Sequence, residues 1–236
     1  MKGLFITGTD TGIGKTILSA LLLAEIRRRG IHAAPIKPVQ TGCDGNVPDL
    51  DYALAMASME VDDETYAAMA PYTFEPACSP HLAAEMAGVE IDIAEMVIAA
   101  RTLAMEYEFI VAEGAGGVMV PLSRHEMTLD LMQALKFPVV ITARPGLGTI
   151  NHTLLTIRTL RSDGLDIAGV VFVCSEPGET GFIEEDNAIT IEQVGKVPVL
   201  GTIPYCARLA DPRPCFADLP IPVVAAIDKI VNPLGI

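Results

Sequence analysis

Short runs of consecutive apolar residues alternate along the chain with longer stretches whose apolar residues fall at helical spacing. The runs Leu4–Thr7, Ala33–Val39, Phe109–Glu113, Pro138–Ala143, Ala168–Val173 and Val199–Ile203 predict strands. Lys15–Arg29 carries Ile17, Leu18, Leu21, Leu22 and Ile26 at helical intervals, and Gly30 supplies a stop signal. Leu50–Met59, Ile93–Met105, Ile150–Arg161, Phe182–Val194 and Val223–Val231 predict further helices. A Pro-rich stretch around Pro71, Pro76 and Pro80 separates two of them. The strands are apolar throughout rather than every second residue, so both of their faces are buried. The expected fold is α/β, a doubly wound, mostly parallel sheet of about seven strands with helices on both faces. No repeat and no linker interrupts the pattern, so residues 1–236 are expected to form a single domain.

Composition narrows the function classes. Half of the residues are apolar, enough to fill a sizeable core. A formal net charge of −14 argues against non-specific nucleic-acid binding and against docking on an anionic membrane. No apolar run reaches the roughly 18 residues of a membrane span. The first strand runs directly into a glycine-rich loop, where a signal peptide would need an apolar stretch and a small-residue cleavage site. Five cysteines lie scattered with no CxxC spacing, as expected of reduced thiols in a cytoplasmic protein.

The strongest chemical signal is Gly8-Thr9-Asp10-Thr11-Gly12-Ile13-Gly14-Lys15-Thr16, between a predicted strand and a predicted helix. Small residues let backbone N–H groups turn inward around phosphate oxygens, and the helix N-terminus adds the positive end of its dipole. Lys15 is placed to reach the β- and γ-phosphates, and the Thr16 hydroxyl to ligate Mg²⁺. This is a P-loop of the NTPase type. It departs from GxxxxGK[ST] in having five residues between Gly8 and Gly14. Lys37, at the end of the second predicted strand, falls where doubly wound sheets bind ligands, although lysines at strand ends are also common on plain surfaces.

GTDTxxGKT, then KPVxTG about twenty residues later, then VAEGAGG in mid-chain occur in this order in dethiobiotin synthetases. PYTFEPACSPHLAA and GLGTINHTLLT also look like that family, so the resemblance runs from Gly3 to Tyr205. It implies an ATP-dependent cyclo-ligase acting on 7,8-diaminononanoate and CO₂. A substrate amine takes up CO₂ as a carbamate. The carbamate attacks the γ-phosphate to form a carbamic–phosphoric anhydride, and the second amine closes the cyclic urea.

The resemblance also implies site roles, residue by residue. Lys37 and Lys15 would stabilise the transferring phosphoryl group, with Thr11 near the carbamate. Gly12, Ile13, Gly14, Thr16 and Ile17, then Glu113, Gly114, Ala115 and Gly116, would surround the nucleotide. Pro204, Tyr205 and Cys206 match a loop on the base side. Thr41 would contact substrate. Gly148, Thr149, Ile150 and Asn151 would reach across a homodimer interface to the substrate carboxylate. Mg²⁺ would be held by Thr16, Glu113 and an aspartate, for which Asp51 fits the family's pattern best and Asp49 is the rival. An N-cap role would also account for either aspartate. Gly12 stands where some members carry Glu, and Val173 stands at a strand end where many carry an adenine-reading Asn, which leaves nucleotide preference open.

The differing alternative is a partition- or septum-positioning P-loop ATPase, a nucleotide-switched binding module on the same fold. Such proteins carry a second lysine early in the loop, where this chain has Asp10.

Overall fold

The computed structural model describes residues 1–236. In chain order the elements are β1 (Gly3–Gly8), α1 (Lys15–Arg28), β2 (Ala33–Ile36), β3 (Val39–Thr41), α2 (Pro48–Met56), α3 (Asp63–Met69), β4 (Tyr72–Phe74) and α4 (Pro80–Ala87). There follow α5 (Ile93–Leu103), β5 (Phe109–Gly117), α6 (Thr128–Leu135), β6 (Val139–Ala143), α7 (Thr149–Ser162), β7 (Ile167–Val173), α8 (Phe182–Gly195), β8 (Val199–Ile203) and α9 (Ile221–Val231).

Six strands form one parallel sheet in the order β2-β5-β1-β6-β7-β8. Side chains alternate between its two faces. Leu4 and Ile6 of β1 join Leu18, Leu21, Leu22 and Ile26 of α1, with Val223 and Ile227 of α9. Phe5, between them, faces the opposite core with Met96 of α5, Met132 of α6 and Ile157 of α7. Complete apolar strands are therefore buried on both sides, as the sequence pattern requires.

The expected strand Ala33–Val39 divides in two. Pro38 has no N–H to donate, and the chain leaves the main sheet there. Beyond it β3 pairs in parallel with β4, from the Pro-rich stretch, as a separate two-stranded sheet. That division places Lys37 at the end of the main sheet.

The arginine run at the end of α1 closes on a buried acid. Glu25 is fully buried, and Arg28 and Arg29 both pair with it, at 2.7 and 2.9 Å. Arg29 also donates to the Ile236 and Asp228 carbonyls, tying α1 to the end of the chain.

β1 lies in the middle of the sheet, with β5 on one side and β6 on the other. The chain reverses its direction of travel across the sheet at this strand, and such switch points open a crevice at the carboxyl ends of the strands. The loop after β1, the end of β2 and the end of β5 meet there.

Candidate active site

The β1–α1 loop turns tightly onto the helix. Gly14, which begins it, has φ 89°, a left-handed conformation that costs a residue with a Cβ. A Cβ there would also stand 2.6 Å from Val173 Cγ1 at the end of β7. Asp10 fixes the outer part of the loop, where its Oδ1 accepts the Thr11 N–H at 2.7 Å. Arg144 approaches the other Asp10 oxygen at 3.7 Å. Lys15 is buried, and its Nζ donates to the Asp10 carbonyl at 2.8 Å. Burial, then the nearby Lys37, pulls the Lys15 pKa below its ordinary value.

A buried polar cluster sits beside this loop. Glu113, on β5, accepts from the Thr16 hydroxyl at 2.9 Å through Oε1 and from the Ser19 hydroxyl at 2.6 Å through Oε2. Lys37 Nζ lies 2.8 Å from Glu113 Oε1 and 2.6 Å from Asp49 Oδ2. The ammonium thus bridges two carboxylates. Burial opposes its charge, but Glu113 and Asp49 outweigh burial and raise the Lys37 pKa. Burial also opposes the Asp49 charge, yet Lys37 and hydrogen bonding from Thr16 hold that carboxyl below the usual range. Thr16, Glu113 and Asp49 offer hard oxygens, the donor chemistry of a Mg²⁺ site.

These groups form part of the wall of a cavity of about 720 Å³. Thr11, Gly12 and Gly14 of the loop, with Ile17, Ala115 and Gly116, contribute to the same wall. The rest of the wall is milder in character: Val39, Gln40 and Thr41 from β3, Ala77 to Pro80 at the entrance to α4, and Val120.

The cavity departs from the sequence reading at the acidic ligand. Asp51 is turned away and accepts from the Tyr66 hydroxyl at 2.8 Å, while Asp49 faces the cluster. The reason is helical geometry: α2 starts at Pro48, earlier than expected, so both aspartates lie on the helix, and two residues at roughly 100° each point about 160° apart. Ser19 was not among the expected site residues, and the Ala77–Pro80 segment, within PYTFEPACSPHLAA, was expected only as part of the family resemblance. The signal for Ser19 was its position three residues after Thr16, on the same helical face.

Other expected residues lie outside this cavity. Ile13 is buried beneath the loop, and Gly114 contributes its carbonyl 3.4 Å from Lys37 Nζ. Pro204, Tyr205 and Cys206 follow β8, beside the buried Cys174, whose N–H donates to the Ile203 carbonyl. Gly148 caps α7, and Thr149, Ile150 and Asn151 form its first turn. Further along α7, His152, Leu155 and Thr156 line a separate cleft of about 400 Å³ with Asp10, Thr11 and Met119.

Known proteins bear directly on this arrangement. The family model described as AAA domain matches residues 2–213. The chain is 46% identical over 205 residues to the ATP-dependent dethiobiotin synthetase BioD of Anaeromyxobacter dehalogenans (strain 2CP-C), covering 87% of this chain and 91% of that one. It is 39% identical over 239 residues to the BioD protein of Pseudomonas paraeruginosa, covering 100% and 99% of the two chains. The chain belongs to the dethiobiotin synthetase family. As a member it is an ATP-dependent ligase.

Solved structures place the fold more widely. The septum site-determining protein MinD of Pyrococcus horikoshii, solved with Mg-ADP, superimposes with a TM-score of 0.65 at 16% identity, over 99% of this chain and 97% of that one. MinD in the MinC:MinD complex of Aquifex aeolicus gives 0.64 at 18%. This likeness establishes a P-loop ATPase fold and, at such identity, nothing of the reaction.

Proposed function

We propose that this cavity carries out the Mg²⁺-dependent reaction of 7,8-diaminononanoate, CO₂ and ATP to dethiobiotin, ADP and phosphate, a step of biotin biosynthesis. One observation carries the assignment to these residues. Two lysines and two carboxylates are concentrated on the loop side of a cavity whose remaining wall, with Val39, Ala77 and Val120, suits an aliphatic diamine.

The chemistry asks for what these side chains offer. An amine lone pair adds to CO₂, giving a carbamate and releasing a proton. A carbamate oxygen then attacks the γ-phosphorus and ADP leaves. Nucleophile and triphosphate are both anions, so cations must hold them together. Lys15 reaches towards the phosphates from the first turn of α1. Lys37, held protonated by its two acids, faces the developing charge from the end of β2. Thr11 and Thr41 would orient the carbamate and the amines. The second amine attacks the carbamate carbon, the urea ring closes, and phosphate departs.

Thr16, Glu113 and Asp49 would hold Mg²⁺, and Ser19 would orient Glu113. Bound there, the ion would neutralise charge on the β- and γ-phosphates. With Lys37 already between the two acids, ion binding and the release of Lys37 towards substrate would be coupled.

The Gly148–Asn151 turn does not line the cavity of its own chain, which suits a homodimer in which it completes the partner's site. Exposed apolar side chains at Leu147, Leu155 and Met119 favour the same assembly. No helix is long and apolar enough to cross a membrane. The acidic surface and the dispersed free thiols fit a cytoplasmic enzyme without nucleic-acid partners.

Supplying ¹³C-bicarbonate with diaminononanoate and ATP tests the assignment. The label is expected in the ring carbonyl of dethiobiotin, with turnover abolished by Lys37→Ala. Product without label, or an unimpaired Lys37→Ala variant, would reject it.

A further inference from the structure

We propose that Tyr66 is a positioning residue of the phosphoryl-transfer centre, acting on the first turn of α2 and, through it, on the Asp49 carboxylate. The inference rests on the reading of Asp49 as a metal ligand, and it assigns a role to Asp51 as well.

The first turn of α2 needs outside help. Val47, its N-cap, offers no side-chain cap, and Pro48 follows at the first helical position. Val47 is 2% exposed, so water cannot readily satisfy its N–H. The Tyr66 hydroxyl accepts that N–H at 3.1 Å and donates its own proton to Asp51 Oδ1 at 2.8 Å. One oxygen therefore joins the residue just before the helix to a residue in its first turn. Asp49 lies between them in sequence and points to the other side, towards Lys37.

The brace has a firm base. Tyr66 belongs to α3, whose start is capped by Asp62 accepting the Thr65 N–H at 2.8 Å. Burial, reinforced by the bond to Asp51, pushes the Tyr66 phenol up to about 12. It therefore remains a donor throughout the neutral range. The hydrogen bonds of the Tyr66 hydroxyl go to the Val47 N–H and to Asp51, not to Lys37, Asp49 or Glu113, so its influence on the cluster passes through the position of α2. A ligand aspartate displaced in this way would weaken metal binding without removing a donor atom, as outer-sphere partners of metal ligands do.

The full-length protein with ADP, titrated with Mn²⁺ and followed by the EPR signal of free ion, provides the test. The Mg²⁺ dependence of phosphate release and a thermal melt accompany each variant. Tyr66→Phe keeps the ring and is expected to weaken Mn²⁺ binding about tenfold. Its Mg²⁺ half-saturation should rise in parallel while kcat at saturating Mg²⁺ stays within about twofold, the split expected when ground-state binding alone is lost. Asp51→Ala, which removes the acceptor and leaves Tyr66 in place, should give the same shift. Asp51→Asn retains an oxygen acceptor and should bind Mn²⁺ like wild type. Wild-type Mn²⁺ affinity in both Tyr66→Phe and Asp51→Ala would overturn the inference. So would an Asp51→Asn variant as impaired as Asp49→Asn, because Asp51 would then be the ligand. Unchanged affinity in Asp49→Asn would instead reject the metal-site reading, and the inference with it.

Discussion

At the scale of single residues, the site turns on one ammonium held between two acids. Lys37 Nζ is 2.6 and 2.8 Å from its carboxylate partners and is almost fully buried. In the proposed reaction, removing it would withdraw a cation from the transferring phosphoryl group, and preorganised charge of that kind contributes about a hundredfold to a thousandfold in rate. Lys37→Ala should therefore lose most turnover; a variant within about threefold of wild type, under ~1 kcal/mol, would show the lysine idle. The same substitution leaves Asp49 and Glu113 facing each other unneutralised. Breaking a buried pair typically costs about 3–5 kcal/mol, so the melting temperature should drop in Mg²⁺-free buffer and recover partly when Mg²⁺ is added. Glu113→Gln tests the metal more directly. It should raise the Mg²⁺ needed for half-maximal activity far more than it lowers stability, and an unaltered Mg²⁺ requirement would remove Glu113 from the metal site. Much of this cluster was legible in the residues, since Lys15 and Thr16 open a helix, Lys37 directly follows a strand and Glu113 closes an apolar run; the strand itself continues past Glu113 to Gly117. The aspartate was not. A pattern of residue types places Asp51 as readily as Asp49, and only the helix that begins at Pro48 turns them to faces about 160° apart.

At the scale of elements, the phosphate loop depends on a contact between α1 and the far end of β7. Gly14 is left-handed and packs beneath Val173. Gly14→Ala should lower thermal stability by about 1–2 kcal/mol from backbone strain alone, with a further loss from the clash, and nucleotide affinity should fall with it. Val173→Ala combined with Gly14→Ala should recover only the part of the clash due to the Val173 methyls, because Val173 Cβ would still stand 2.8 Å away, and none of the strain. The same geometry bears on base recognition. Val173 is buried and has no polar group to offer a base, whereas an Asn at that strand end could both donate and accept. Discrimination would then rest on backbone groups, on the Pro204–Cys206 turn or on other neighbours. Ratios of kcat/KM among ATP, CTP, GTP and UTP are expected in the tens, and an ATP preference above about a thousandfold would reveal a polar reader elsewhere. The layered fold was readable because buried parallel strands are apolar end to end. The small β3–β4 sheet was not, since three-residue strands around prolines carry no period. Pro38 alone hinted that Ala33–Val39 could not continue as one strand.

At the scale of the whole molecule, the lysines and acids line one side of the cavity, and the Gly148–Asn151 segment belongs to another surface. Gly148 to Asn151 lies off the cavity, with Leu147 fully exposed and Leu155 57% exposed nearby. A second copy would complete the site and cover these side chains. Leu155→Glu should shift the protein towards monomer in sedimentation and raise KM for the diamine, while leaving ADP binding by the isolated loop intact. A fully active monomer would rule out the shared site. The function turns on what couples to phosphate release. P-loop switches of the MinD type share this fold, so ATP hydrolysis alone separates nothing. The deciding measurement is inorganic phosphate released with ATP, with and without diaminononanoate plus bicarbonate, followed beside dethiobiotin in the same vessel. Phosphate should appear only when both co-substrates are present, and in equal amount to dethiobiotin. Phosphate release indifferent to the diamine, or unaccompanied by dethiobiotin, would mean that the cavity does different chemistry.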